Sequence, residues 1–169
     1  MIQQRERLLL SEYIRLHLQG MIVRQNCPLG LVPESLVADF GPRAALRIAR
    51  KMRPEVDALV IAPDKLILIE AKVIRWVDGL AKLPLYKALI LDTPELVQYK
   101  DRPVVMRLIM PYVQENMLSV AARMGVEVVE FTTPEIDHYV QVEIPKYSTA
   151  EYKRNRAEVL RQREILGVQ

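Results

Sequence analysis

The stretch PEVDALVIAPDKLILIEAKV, residues 54–73, sets Asp57, Glu70 and Lys72 inside two apolar runs. Charge there is costly, so it calls for a chemical reason. A turn centred between Pro63 and Asp64 makes a hairpin in which Asp57 faces Glu70 and Glu55 faces Lys72. Residues two apart share a face, so Glu55, Asp57, Glu70 and Lys72 form one polar island while Ala71 points away. Opposed carboxylates repel unless something neutralises them. A hard divalent cation such as Mg²⁺ does so: it takes carboxylate oxygens, keeps several waters and bridges to substrate phosphates. The same residues also permit a cross-strand ion pair of Lys72 with Glu55 or Asp57 at a solvated end of the sheet, with Glu70 exposed. A one-residue slip in register would send Asp57 and Glu70 to opposite faces.

The elements that must position this island follow from apolar period and breakers. Leu9, Leu10, Tyr13, Ile14 and Leu16 recur at helical spacing, predicting a helix over 3–19 that stops at Gly20. Pro28, Gly30 and Pro33 mark the next stretch as mostly loop, with at most a short strand from Met21 to Arg24. Asp39 caps a helix whose first turn carries Pro42 and which runs to about Met52. The hairpin's near-continuous Val, Ile and Leu predict strands buried on both faces, at the sheet centre. A helix over 78–91, a strand over 102–110, a helix over 114–124 and a strand over 126–131 complete the alternation. Ser148 and Glu151, at capping-box spacing, open a charged helix in the C-terminal segment, 146–169. The plan is α/β: a mixed sheet with a central β-hairpin, flanked by helices on both faces.

Composition narrows the chemistry. The chain has 169 residues, half of them apolar, enough for one domain with its own core. Cys27 is the only cysteine, and His17 and His138 the only histidines, which excludes a disulfide framework and a Cys/His zinc cluster within one chain. Neither histidine sits in a recognisable nucleophile motif. The net charge of +3 permits a polyanionic partner without demanding one. The N-terminal segment is too charged for a signal peptide, and no apolar run approaches the roughly 20 residues that span a bilayer, so the expectation is no membrane partner and a cytoplasmic setting.

At Asp57 and Glu70-Ala71-Lys72 the sequence resembles the PD-(D/E)XK nuclease superfamily, with Pro54 three positions ahead of Asp57. The order of elements from Glu12 to Phe131 is similar as well. The resemblance implies a restriction-endonuclease-like fold over 1–145 and a Mg²⁺-dependent endo- or exodeoxyribonuclease, with Mn²⁺ as a substitute ion. Asp57, Glu70 and the Ala71 carbonyl would hold the metal, and Lys72 would position the attacking water. It further implies an acidic contribution from the first helix, assigned to Glu12 with Glu6 behind it. Lys82 and Tyr86 stand at the spacing of the glutamine and tyrosine of the RecB-like exonucleases, with Lys for Gln, and with Lys87 they are candidate phosphate contacts. Arg43, Arg47 and Arg50 recur at i, i+4 and i+7 and form a candidate stripe for a DNA backbone. Cutting both strands would call for two sites, hence a homodimer or a larger nucleoprotein complex. The alternative is a catalytically silent protein of this fold, a structural, assembly or DNA-binding subunit of a phage or mobile element.

Overall fold

The run LILIEA forms a strand buried at all six of its positions, as a continuous apolar strand is when both faces of its sheet are covered. It is the third of five strands, which lie side by side in chain order: β1 (Ile22–Pro28), β2 (Glu55–Ile61), β3 (Leu66–Ala71), β4 (Val104–Met110) and β5 (Val126–Glu130). The first three are antiparallel, and β4 and β5 run parallel to β3, so the sheet is mixed. The helices are α1 (Ile2–His17), α2 (Glu34–Ala49), α3 (Trp76–Ile90), α4 (Glu115–Arg123) and α5 (Pro134–His138). This computed structural model describes residues 2–146, 154, 156–158 and 161–162. Of the C-terminal helix expected over 146–169, most lies outside the described residues; those that are described beyond 146 are helical.

Two consecutive parallel crossovers, β3 to α3 to β4 and β4 to α4 to β5, step in the same direction, and crossovers of one hand then place both helices on one face. Leu66 and Leu68 of β3 and Met106, Leu108 and Met110 of β4 share a buried cluster there with Leu80 and Leu83 of α3 and Met117 of α4. The alternate residues of β4 face the other way, and on that side Arg107 donates to Tyr13 Oη of α1 at 3.3 Å. Leu9, Leu10 and Tyr13 bury the inner face of α1.

The hairpin turn closes with the Ala62 N–H donating to the Lys65 carbonyl at 3.0 Å, and the register it sets is the expected one: Ala58 opposite Ile69, Leu59 opposite Leu68. The stretch read as loop is the main difference. Residues 22–28 form a full edge strand on β2, and Pro28 ends it at a position where its missing N–H is of no consequence. The helix expected to be capped by Asp39 starts earlier, at Glu34: Asp39 lies within a helical turn and caps nothing, and the non-helical Gly41 (φ 75°) kinks α2 just before Pro42. Residues 94–99, assigned to no element by sequence, form a 3₁₀ helix.

The chain divides into two compact units, Met1–Thr132 and Thr133–Gln169. In the second, Thr133 caps α5, its hydroxyl accepting from the Ile136 N–H at 3.3 Å, and helical turns continue to Lys146. Among the described residues no helix is long and apolar enough to cross a membrane.

Candidate active site

Asp57 falls in a gap in both of its ladders. On one side β1 pairs with β2 at Gln25 and again at Cys27, skipping Asn26, which adopts the left-handed φ of 48° that Asn tolerates better than most residues. On the other side the β2–β3 ladder stops at Ala58–Ile69, one step short of Asp57 and Glu70. Side chains take over where the ladder ends. Asp57 Oδ2 accepts from the Ala71 N–H at 3.0 Å, and the Asp57 N–H points at Glu70 Oε1 at a long 3.4 Å. The two carboxylates are thereby brought together at the mouth of the hairpin, as the register predicts.

Lys72 sits at their centre. Its Nζ lies 3.0 Å from Glu70 Oε2, 3.5 Å from Asp57 Oδ2 and 3.7 Å from Glu6 Oε2, and it donates to the Ala71 carbonyl at 3.1 Å. Glu70 has 0% of its surface exposed and Lys72 only 7%. Burial, with the Asp57 charge adding to it, pushes the Glu70 carboxyl up to about 7 despite the neighbouring ammonium. Burial likewise raises Glu6, with Lys72 opposing. For Lys72 burial works against the charge, but Glu70, Asp57 and Glu6 outweigh it and hold the amine above its ordinary range. The ammonium is therefore a fixed cation at neutral pH, unsuited to take a proton.

The site opens into a cavity of about 690 Å³ lined by Glu6, Asp57, Lys72 and Lys82 among others. Behind Lys72, α3 approaches the sheet closely: a Cβ added to Gly79 would lie 2.6 Å from Leu108 Cδ1 and 3.0 Å from Lys72 Cγ. Only glycine lets the helix press the Lys72 stem against the sheet.

The remaining candidates divide. Lys82 of α3 reaches the cavity; Lys87 is exposed on the same helix. Tyr86 does not reach it, since its ring is buried in the core cluster and its hydroxyl donates to the Glu55 carbonyl at 3.0 Å. Glu55 leaves the island expected for it and pairs with Arg50 at 3.1 Å. Arg50 is engaged further by the Asn26 carbonyl at 3.0 Å, which separates it from Arg43 and Arg47, both exposed. From α1 it is Glu6 that reaches the cluster. Glu12, the position favoured by sequence, is held by Arg15 at 2.7 Å. The signal for Glu6 was present: with Leu10 and Tyr13 it occupies i, i+4 and i+7 on the buried stripe. Trp76 packs partly buried against the core.

The donor set suits a hard cation. Asp57 and Glu70 offer carboxylate oxygens, Ala71 offers a carbonyl, and the buried Glu70 Oε2 has charge opposite it but no aligned hydrogen bond. Among the described residues no three acidic, histidine or cysteine side chains gather at metal-binding distance. No protein-family model matches this chain, and no curated protein matches it in sequence.

Proposed function

We propose that this chain is a metal-dependent nuclease of the PD-(D/E)XK type, with a restriction-endonuclease-like core, that hydrolyses phosphodiester bonds of DNA. One observation carries the reading: Lys72 Nζ stands within 3.0–3.7 Å of Glu70, Asp57 and Glu6 at the open end of the central hairpin. Carboxylates with a lysine at a cavity wall combine what phosphodiester hydrolysis needs, a seat for a cation and a fixed positive charge for the transition state. Asp57, Glu70 and the Ala71 carbonyl are the groups that would hold Mg²⁺ or Mn²⁺. When bound, such an ion polarises the scissile phosphate and lowers the pKa of water.

The chain's own residues do the rest. Lys72, kept protonated by its neighbours, orients the attacking water and stabilises charge developing on the phosphate. Glu6 draws the Lys72 ammonium toward α1 and so helps to set its position. Lys82, exposed on α3 and lining the same cavity, meets a phosphate oxygen of the substrate. Burial of Glu70 at the base of the site keeps its carboxylate weakly solvated and so ready to accept a cation.

Digestion of plasmid, linear and single-stranded DNA with Mg²⁺ or Mn²⁺ tests the reading. Cleavage that disappears in Asp57→Ala and Lys72→Ala, with circular dichroism unchanged at the assay temperature, supports it. A folded wild-type chain that cuts none of these substrates with either ion refutes it and leaves the non-catalytic subunit.

A further inference from the structure

The cavity beside the hairpin has a second chemistry that phosphodiester hydrolysis does not use. Four carboxamides line it, Gln3 and Gln4 from α1 and Gln25 and Asn26 from β1, together with Arg7 and Lys82. All four amides belong to exposed residues, and among the described residues none of their side chains is engaged by a hydrogen bond within the protein. Asn26 stands across from Asp57 at the gap in the ladder, and both residues line the cavity. A carboxamide presents one donor group and one acceptor in a plane, the pairing that reads a base edge; phosphate needs donors only. The cations supply those, Arg7 on the α1 wall and Lys82 on the α3 wall.

Size decides which form of nucleic acid fits. A half-open cavity of about 690 Å³ has room for a molecule the size of one or two nucleotides. A duplex exposes its base edges only in grooves, which are read by a helix or ribbon entering them and not by a pocket that encloses the base. Bases whose Watson–Crick edges are free can enter such a pocket. The cavity is lined by α1 and β1 alike, so a base that enters it can meet Gln3 and Gln4 of the one and Gln25 and Asn26 of the other.

Resting on the nuclease reading for the position of the scissile phosphate, we propose that the site takes an unpaired strand, one of whose bases is held by these carboxamides beside Lys72. The strand's phosphates lie toward Arg7 and Lys82. An unpaired DNA strand and an unpaired RNA strand share this chemistry.

Fluorescence anisotropy of the full chain with EDTA present separates the cases, using a short labelled DNA strand, an RNA strand of the same sequence and a blunt DNA duplex of equal length. The single strand should bind at least about tenfold more tightly than the duplex, with DNA against RNA identifying the natural strand. Gln25→Ala with Asn26→Gly, the glycine chosen to keep the left-handed backbone, should lower single-strand affinity about tenfold and leave duplex affinity unchanged. Gln3→Ala with Gln4→Ala, on an exposed helical turn, should act in the same direction with melting temperature unaltered. Equal or tighter binding of the duplex, no binding of any strand, or a strand preference untouched by both pairs of substitutions overturns the proposal. Cleavage of the same substrates with Mg²⁺ is scored apart: selective strand binding without cleavage refutes the nuclease and leaves the strand site standing.

Discussion

Glu70 and Lys72 are each costly to bury, and each is tolerable because the other is there. Their pKa directions make the coupling measurable. Glu70 moves from 4.5 to about 7, so between those values the folded chain holds a proton that the unfolded chain has released, and stability of the metal-free protein falls as pH rises through that window. The raised Glu6 acts with the same sign. The effect reaches about 3 kcal/mol at most. Urea midpoints in EDTA should therefore fall between pH 5 and pH 8, and Glu70→Gln should flatten that dependence; parallel slopes for the two proteins would contradict it. Lys72→Ala carries the opposite stress, leaving Asp57, Glu70 and Glu6 without their cation, and should cost about 3–5 kcal/mol at pH 8 in EDTA. Because a divalent ion and the ammonium draw on the same oxygens, Mn²⁺ should raise the melting temperature of Lys72→Ala more than that of the wild type. A variant whose melting ignores Mn²⁺ removes the case for a metal.

At the scale of elements, Gly79 is where packing and chemistry meet. Alanine gains about 1 kcal/mol of helix propensity there, but its Cβ would press on Leu108, which is fully buried, and on the stem of Lys72. Overpacking of this kind costs about 1–3 kcal/mol, so Gly79→Ala should come out mildly destabilised while metal-dependent cleavage drops further than stability does. Cleavage equal to wild type would mean that Lys72 is not held by this contact. The hairpin was legible in the sequence because turn chemistry and two near-continuous apolar runs act within about twenty residues. The same local signals placed α3, β4, α4 and β5 to within a residue or two. Residues 22–28 were not legible as a strand. Pro28 and Gly30 read as breakers, and nothing local shows that Cys27 pairs with Val56, a contact made only when the chain returns to the sheet. Tyr86 misled for a related reason: its spacing from Lys82 matches a phosphate-binding pair, while its ring points into the core between α3 and the sheet. Glu6 and Glu12 differ only in which side of α1 meets the body, a fact of tertiary packing that period alone leaves half decided.

At the scale of the whole molecule, a net charge of +3 is too small to bind nucleic acid by its field alone, so affinity must come from particular cations placed where a backbone can run. Those cations are not equivalent. Arg43 and Arg47 are exposed, and among the described residues neither makes an ion pair, whereas Arg50 is tied to Glu55 at 3.1 Å and to the Asn26 carbonyl at 3.0 Å. Sequence spacing put the three in one stripe and could not tell them apart. Each phosphate contact on a single strand releases about 0.7 of a counterion, so the logarithm of affinity falls with the logarithm of salt concentration in proportion to the contacts made. If Arg43 and Arg47 follow the strand, replacing both with alanine should reduce that slope by about 1.4 while leaving stability within about 0.5 kcal/mol of wild type. Arg50→Ala should do the reverse. It frees Glu55 and leaves the Asn26 carbonyl without its donor, so it should loosen the β1–β2 junction beside Asp57 and lower the melting temperature with little change in slope. Titrations of the three proteins from low to moderate salt, each paired with a thermal melt, distinguish binding cations from structural ones. A slope unchanged by Arg43→Ala with Arg47→Ala would confine the phosphate contacts to the cavity, to Arg7 and Lys82.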